Sequence, residues 1–125
     1  MSHFTSIQTQ IKDADALRSA VEELGLTLLP DAQARGYFEN WLRADYVIRL
    51  KGPYDIALHA QKDGTFQLTT DWWDGHVEGE VGKNFGKLLQ LYAVHKATRE
   101  AKHKGHLVTR ASRGDGAIKL VISSL

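Results

Sequence analysis

The sequence predicts an α+β domain: a single, mainly antiparallel sheet in the order β-α-β-β-β-β-α-β-β, with two helices packed on one face. Three observations carry this expectation. Segments 45–51, 54–61 and 65–73 are rich in β-formers and are divided by Gly52-Pro53 and Asp63-Gly64, the pattern of successive hairpins. Two other stretches repeat apolar residues at helical spacing, and each is followed by a glycine, Gly25 or Gly105. The chain has 125 residues, 42% hydrophobic and 25% charged. That suits one domain over 1–125, not a disordered chain.

Taken in order, residues 4–11 alternate Thr5, Ile7, Thr9 and Ile11 against Ser6, Gln8 and Gln10, an amphipathic strand. Asp13 then caps a helix carrying Leu17, Ala20, Val21 and Leu24, which Gly25 ends. Leu26–Leu29, closed by Pro30, reads as a second strand, and 31–44 as a loop holding Tyr37, Phe38 and Trp41. For the hairpin around Asp63-Gly64 two registers compete. A three-residue loop, Lys62-Asp63-Gly64, pairs Ala60 with Phe66, Leu58 with Leu68, Ile56 with Thr70 and Tyr54 with Trp72. It keeps apolar residues on one face and puts Gly64 at the left-handed position of a bulged turn. The longest helix is expected over 81–104 with a stripe of Val81, Phe85, Leu88, Leu89 and Tyr92. A last hairpin turns at Gly114-Asp115, setting Ala111 opposite Ile118, Thr109 opposite Leu120 and Leu107 opposite Ile122.

Composition narrows the function classes. With no cysteine there is neither a disulfide nor a thiolate metal site or nucleophile. No apolar run approaches the roughly 20 residues of a membrane helix, and the charged start does not read as a secretory signal. A soluble protein of a reducing interior is expected, in a cytoplasm or an organelle stroma. The net charge of +1 hides a polarity: residues 1–80 hold 7 Lys+Arg against 13 Asp+Glu, and 81–125 hold 9 against 2. Such asymmetry marks either a surface for a charged partner or an acidic half packed against a basic one.

Three constellations bear chemistry. At 100° per residue, His95, Arg99 and His103 continue the buried stripe of the long helix, with Lys102 beside them. This cationic end is a candidate partner or anion site, or a wet helix end whose cations favour the dipole. The run from Asp71 to Glu80 places Asp71, Asp74 and His76 close together as weak metal candidates. Its spacing matches no recognised cage, so no metal, cofactor or catalytic residue is assigned. Finally, alternation sends Trp72 to the core and Trp73 to the other face of the sheet. There it would join Arg49, Lys51, Asp55, His59, Asp71, Arg110 and Lys119, with His59 and Trp73 as candidate partner contacts.

Several segments together resemble the hypothetical chloroplast reading frame thirty-five family of cyanobacteria and plastids, a domain of unknown function. They are Met1-Ser2-His3-Phe4, Arg35-Gly36-Tyr37, Ala44-Asp45-Tyr46-Val47-Ile48, Tyr54-Asp55-Ile56, Asp71-Trp72-Trp73, the helix of Tyr92 and Asp115-Gly116-Ala117-Ile118-Lys119-Leu120. The resemblance transfers no catalytic residue; members are often encoded near ATPases of the AAA+ class, which implies an accessory role. The expected function is therefore a non-enzymatic accessory or adaptor domain that binds a protein partner. The alternatives are nucleic-acid binding through the basic 81–125 region and a small-ligand or metal-dependent enzyme using Asp71, Asp74, His76 and His95.

Overall fold

A computed structural model describes residues 3–124. The elements are β1 (Phe4–Gln8), α1 (Ala14–Glu23), β2 (Thr27–Ala34), β3 (Leu42–Arg49), β4 (Ile56–Ala60), β5 (Phe66–Asp71), α2 (His76–Val81), α3 (Gly86–His103), β6 (Leu107–Ser112) and β7 (Ile118–Ser123). Short 3-10 turns lie at Tyr37–Glu39, Trp73–Gly75 and Lys83–Phe85. Five strands form an antiparallel sheet in the order β1-β5-β4-β3-β2. The α+β class holds, and α1 and α3 pack on one face of this sheet.

That packing follows the sequence closely. Leu17 and Val21 of α1, Leu88 and Tyr92 of α3, and Ile48, Ile56, Leu58 and Leu68 of the sheet share one buried cluster. Each fully buried aliphatic side chain contributes about 1.5–3 kcal/mol. Asp13 caps α1 as expected, its Oδ1 accepting from the amides of Asp15 and Ala16 at 3.0 Å. The Tyr92 hydroxyl accepts from the amides of Lys12 and Asp13 at 3.1 Å each, so α3 holds the chain where α1 begins. The β4–β5 register is the bulged one: Ala60 faces Phe66, Leu58 faces Leu68 and Ile56 faces Thr70, with Gly64 at φ +87°.

Three expectations change in the body of the domain. The second strand runs through Pro30 to Ala34, because β2 is an edge strand and no outer neighbour requires an amide from the proline. The long helix does not begin at Val81. Gly82, Asn84 and Phe85 take positive φ values of 84°, 54° and 63°, which breaks the segment into α2, a 3-10 turn and α3. A Cβ on Gly82 would lie 2.8 Å from the Lys87 amide nitrogen, so the glycine permits a close turn. Tyr54 and Trp72 lie outside β4 and β5, the strand ending at Asp71.

The last hairpin also departs from the single-sheet expectation, since β6 and β7 pair only with each other. Its register is one residue away from the expected one: Ser112 faces Ile118, Ala111 faces Lys119, Thr109 faces Val121 and Leu107 faces Ser123. Gly116 at φ +87° closes a three-residue loop instead of a two-residue turn. Alternation then gives Val108, Arg110, Leu120 and Ile118 one face. Arg110 on that face reaches Glu23 of α1 at 2.9 Å, so the ribbon is drawn to the helical layer and not to a sheet edge.

Candidate functional site

The second face of the five-stranded sheet is not open. The far end of the β2–β3 hairpin bends across it as a strap, and three consecutive residues of that strap fasten it. Arg35 places its backbone amide and Nε on Asp55 Oδ2 at 2.9 and 2.8 Å, and its Nη2 on Asp55 Oδ1 at 2.9 Å. The same Nη2 donates to the carbonyls of Leu50 and Gly52. Gly36 follows because a Cβ there would stand 2.6 Å from the Phe4 ring and 2.7 Å from the Asn40 carbonyl oxygen. The Tyr37 amide donates to Asp71 Oδ2 at 3.3 Å. Beneath the strap, Ala34, Ala44, Val47 and Ala57 form a second small buried cluster.

Asp55 and Asp71 are therefore interior groups. Asp55 has no exposed surface and also accepts from the Leu50 amide at 3.0 Å. Its hydrogen bond to Arg35 raises the pKa of that guanidinium above the usual value, as a partner charge should. Asp71 accepts from the Trp73 amide at 3.0 Å, which tightens the turn that ends β5. Beside it, Tyr54 has its pKa raised, first by burial and then by the negative charge of Asp71.

The residues singled out in the sequence fall in separate places. His95 Nε2 lies 2.7 Å from Glu23 Oε1, and Arg110 occupies Glu23 Oε2. Those partners, Arg110 first, hold the Glu23 carboxyl below its usual pKa. Arg99 lies 4.0 Å from Asp13 and 3.5 Å from Asp15. Lys102 and His103 are exposed at the end of α3. His59 hydrogen-bonds the Arg43 carbonyl at 2.9 Å on the strapped face. Of the metal candidates, Asp71 is turned inward, while His76 stands 3.8 Å from Asp74 and packs edge-on against Tyr54. Among the described residues, no three His, Cys, Asp or Glu side chains gather as a ligand set. The expected second-face group is divided accordingly: Asp55 and Asp71 are covered, Arg110 and Lys119 belong to the ribbon, and Trp73 lies in a turn.

Trp72 does face inward, 4.6 Å from the Phe85 ring, and Trp73 does face outward with 45% of its surface exposed. The cause is the 3-10 turn after Asp71, not strand alternation. Trp73 stands 6.1 Å from Tyr37, which in turn stands 5.1 Å from Phe38. Phe38 is 85% exposed and Trp41 54%. The backbone under this aromatic group is strained: Phe38, Glu39 and Asp74 have φ of 57°, 61° and 58°, a region costly for residues bearing a Cβ. Sequence reading placed Tyr37, Phe38 and Trp41 in a loop but did not join Tyr37 to Trp73. The available signal was three aromatics in five residues following a glycine.

Fold and site together define a small α+β domain whose sheet is covered on one face by helices and at one end of the other face by a strap that displays aromatic side chains. No described helix is long and apolar enough to cross a membrane. The chain belongs to the family described as a protein of unknown function (DUF1257), whose model matches residues 20–121. It is 30% identical over 124 residues to the uncharacterized protein ycf35 of Guillardia theta, and 31% identical over 126 residues to that of Pyropia yezoensis. Each alignment covers 98% of this chain and 96% of the relative. The resemblance read from the motifs is thus the correct family, and no solved structure matches the chain. The motif segments Arg35-Gly36-Tyr37, Tyr54-Asp55-Ile56 and Asp71-Trp72-Trp73 converge at the strap.

Proposed function

We propose that this protein is a non-enzymatic accessory domain that recognises a protein partner through the aromatic group on the strap. One observation carries the reading: Phe38 is an aromatic residue 85% exposed on left-handed backbone. Neither burial nor local preference within the chain accounts for it, and backbone strain concentrates where structure serves binding. The exposed carboxylates of Glu39 and Asp74 stand on the same two turns. Aromatic faces bordered by acids suit lysine and arginine side chains through cation–π and ionic contact. The partner therefore presents a basic segment. At the cationic end of α3, by contrast, His95 and Arg99 are already engaged by Glu23, Asp13 and Asp15.

The test uses affinity purification from the native cell, with an ATPase of the AAA+ class among the candidate partners. Phe38→Gly with Trp73→Ser is expected to abolish recovery of the partner, whereas Arg99→Ala with His103→Ala leaves it intact. The reverse pattern overturns the choice of surface. Because glycine is at ease at φ 57°, Phe38→Gly alone should leave stability unchanged or raise it by up to about 1 kcal/mol. A loss of binding by Phe38→Gly alone then cannot be ascribed to unfolding.

A further inference from the structure

Where the ribbon meets the body there is a cleft of about 510 Å³, walled by the ends of α1 and α2, by α3 and by the β6–β7 turn. None of the strap's aromatic residues lines it. Its floor is apolar, formed by Leu26, Leu91 and Ile118, with Leu26 and Leu91 about nine-tenths buried. Three cations stand round it: Lys51, Lys87 and Arg113. Two carboxylates also line it, and both are already committed. Glu80 Oε1 accepts from the Lys51 amide at 2.7 Å and its Oε2 from the Gly52 amide at 3.0 Å. Glu23 is taken by His95 and Arg110. Among the described residues Lys51 and Lys87 form no ion pair, and Arg113 has only the exposed Asp115 at 3.5 Å.

We infer that this cleft is a binding site for a small amphipathic anion: a molecule with a flat or branched apolar body and one phosphate, sulfonate or carboxylate group. The volume is that of a small-molecule pocket, and such pockets pair apolar walls with a few placed polar groups. The apolar body lies on Leu26, Leu91 and Ile118, and the anionic group meets Lys51, Lys87 and Arg113. The ligand has a mechanical effect as well. The ribbon is a two-stranded hairpin, an element barely stable by itself in water. It meets the body through Arg110 on Glu23, Gln90 on the Gly116 carbonyl and the packing of Ile118. A molecule seated in the cleft touches both the ribbon and the body, and so clamps the ribbon down.

The experiment titrates the full chain with 2-naphthyl phosphate, with inorganic phosphate and with 2-naphthylmethylamine, following backbone amide resonances. The naphthyl phosphate is expected to shift the amides of Gly79, Gln90 and Gly116 and to slow hydrogen exchange in β6 and β7. Inorganic phosphate should bind at least about tenfold more weakly, since it lacks the apolar body. The substitutions Lys87→Glu and Arg113→Glu, both at exposed positions, should each weaken the naphthyl phosphate by about tenfold. Three results would each overturn the inference: shifts confined to residues outside the cleft, an equal response to the amine, or affinity unchanged in both charge-reversed variants. Retained partner recovery through the strap in those same variants keeps this test separate from the one above.

Discussion

Asp55 shows how much one side chain can hold. Four hydrogen bonds converge on its carboxylate, three of them from Arg35 and one from Leu50, and Arg49 Nε lies 3.5 Å away without a hydrogen-bond partner among the described residues. Removing the carboxylate leaves two guanidinium groups and two amides facing a void. Asp55→Ala is therefore expected to lose about 3–5 kcal/mol in chemical denaturation, the usual cost of breaking a buried pair from one side. Arg35→Lys should also be costly, because an ammonium cannot reach Asp55 and two carbonyls from one planar group. Gly36→Ala should lose about 1–3 kcal/mol by overpacking against Phe4 and the Asn40 carbonyl. At this scale the sequence was hard to read. Arg35-Gly36-Tyr37 was visible as a motif, but its reason lies in Asp55, Asp71 and Phe4, which are remote in the chain and are reached only after the hairpin has bent.

Among the elements, the two tight hairpins are built on one plan. In each, an aspartate just before the left-handed glycine accepts the amide two residues on: Asp63 from Thr65 and Asp115 from Ala117, both at 3.0 Å. The Asp63 carboxyl is held below its usual pKa, chiefly by the Thr65 hydroxyl and amide. The first register was legible because Leu58, Leu68, Ile56 and Phe66 must share a buried face. The second was not, because little of the ribbon is buried: Leu107 and Val121 are 57% and 44% exposed, and Ile118 is its one residue packed on the main core, too weak an apolar pattern to pin a register in the sequence. The Asp-Gly chemistry alone would have given the right loop. Accordingly, Gly64→Ala and Gly116→Ala are each expected to destabilise their hairpin by about 1 kcal/mol. Gly114→Ala, at an ordinary φ with open space around it, should be neutral. Amide exchange in β4–β5 and in β6–β7 distinguishes these outcomes.

For the molecule as a whole, the polarity of charge along the chain becomes a clasp between layers. Acids of α1 and its cap meet basic side chains of α3 and β6: Asp13 pairs with Lys96 and Arg99, Asp15 with Arg99 and Glu23 with Arg110, while His95 hydrogen-bonds Glu23. Asp13 is held below its usual pKa, first by the Ala16 amide and then by Lys96, and Glu23 by Arg110 and then His95. A carboxyl with a lowered folded pKa stabilises the fold above its unfolded value and ceases to do so as pH falls through the folded one. Stability should thus decline between roughly pH 5 and pH 2. Asp13→Asn with Glu23→Gln should be less stable at neutral pH and show a flatter decline over that window. Acid denaturation followed by circular dichroism measures both. Packed helices, central strands and family were readable from periodicity and motifs; the strap and the detached ribbon depend on long-range contacts that periodicity does not encode.

Pro30 in the outermost strand has a further consequence. A five-stranded sheet exposes two borders, and a border with a full row of amides invites another chain to continue the ladder. On one border the proline removes a donor from the row, and on the other the strand is only five residues long. Neither border of this sheet offers a long template for polymerisation, so the five-stranded sheet should not itself seed fibrils.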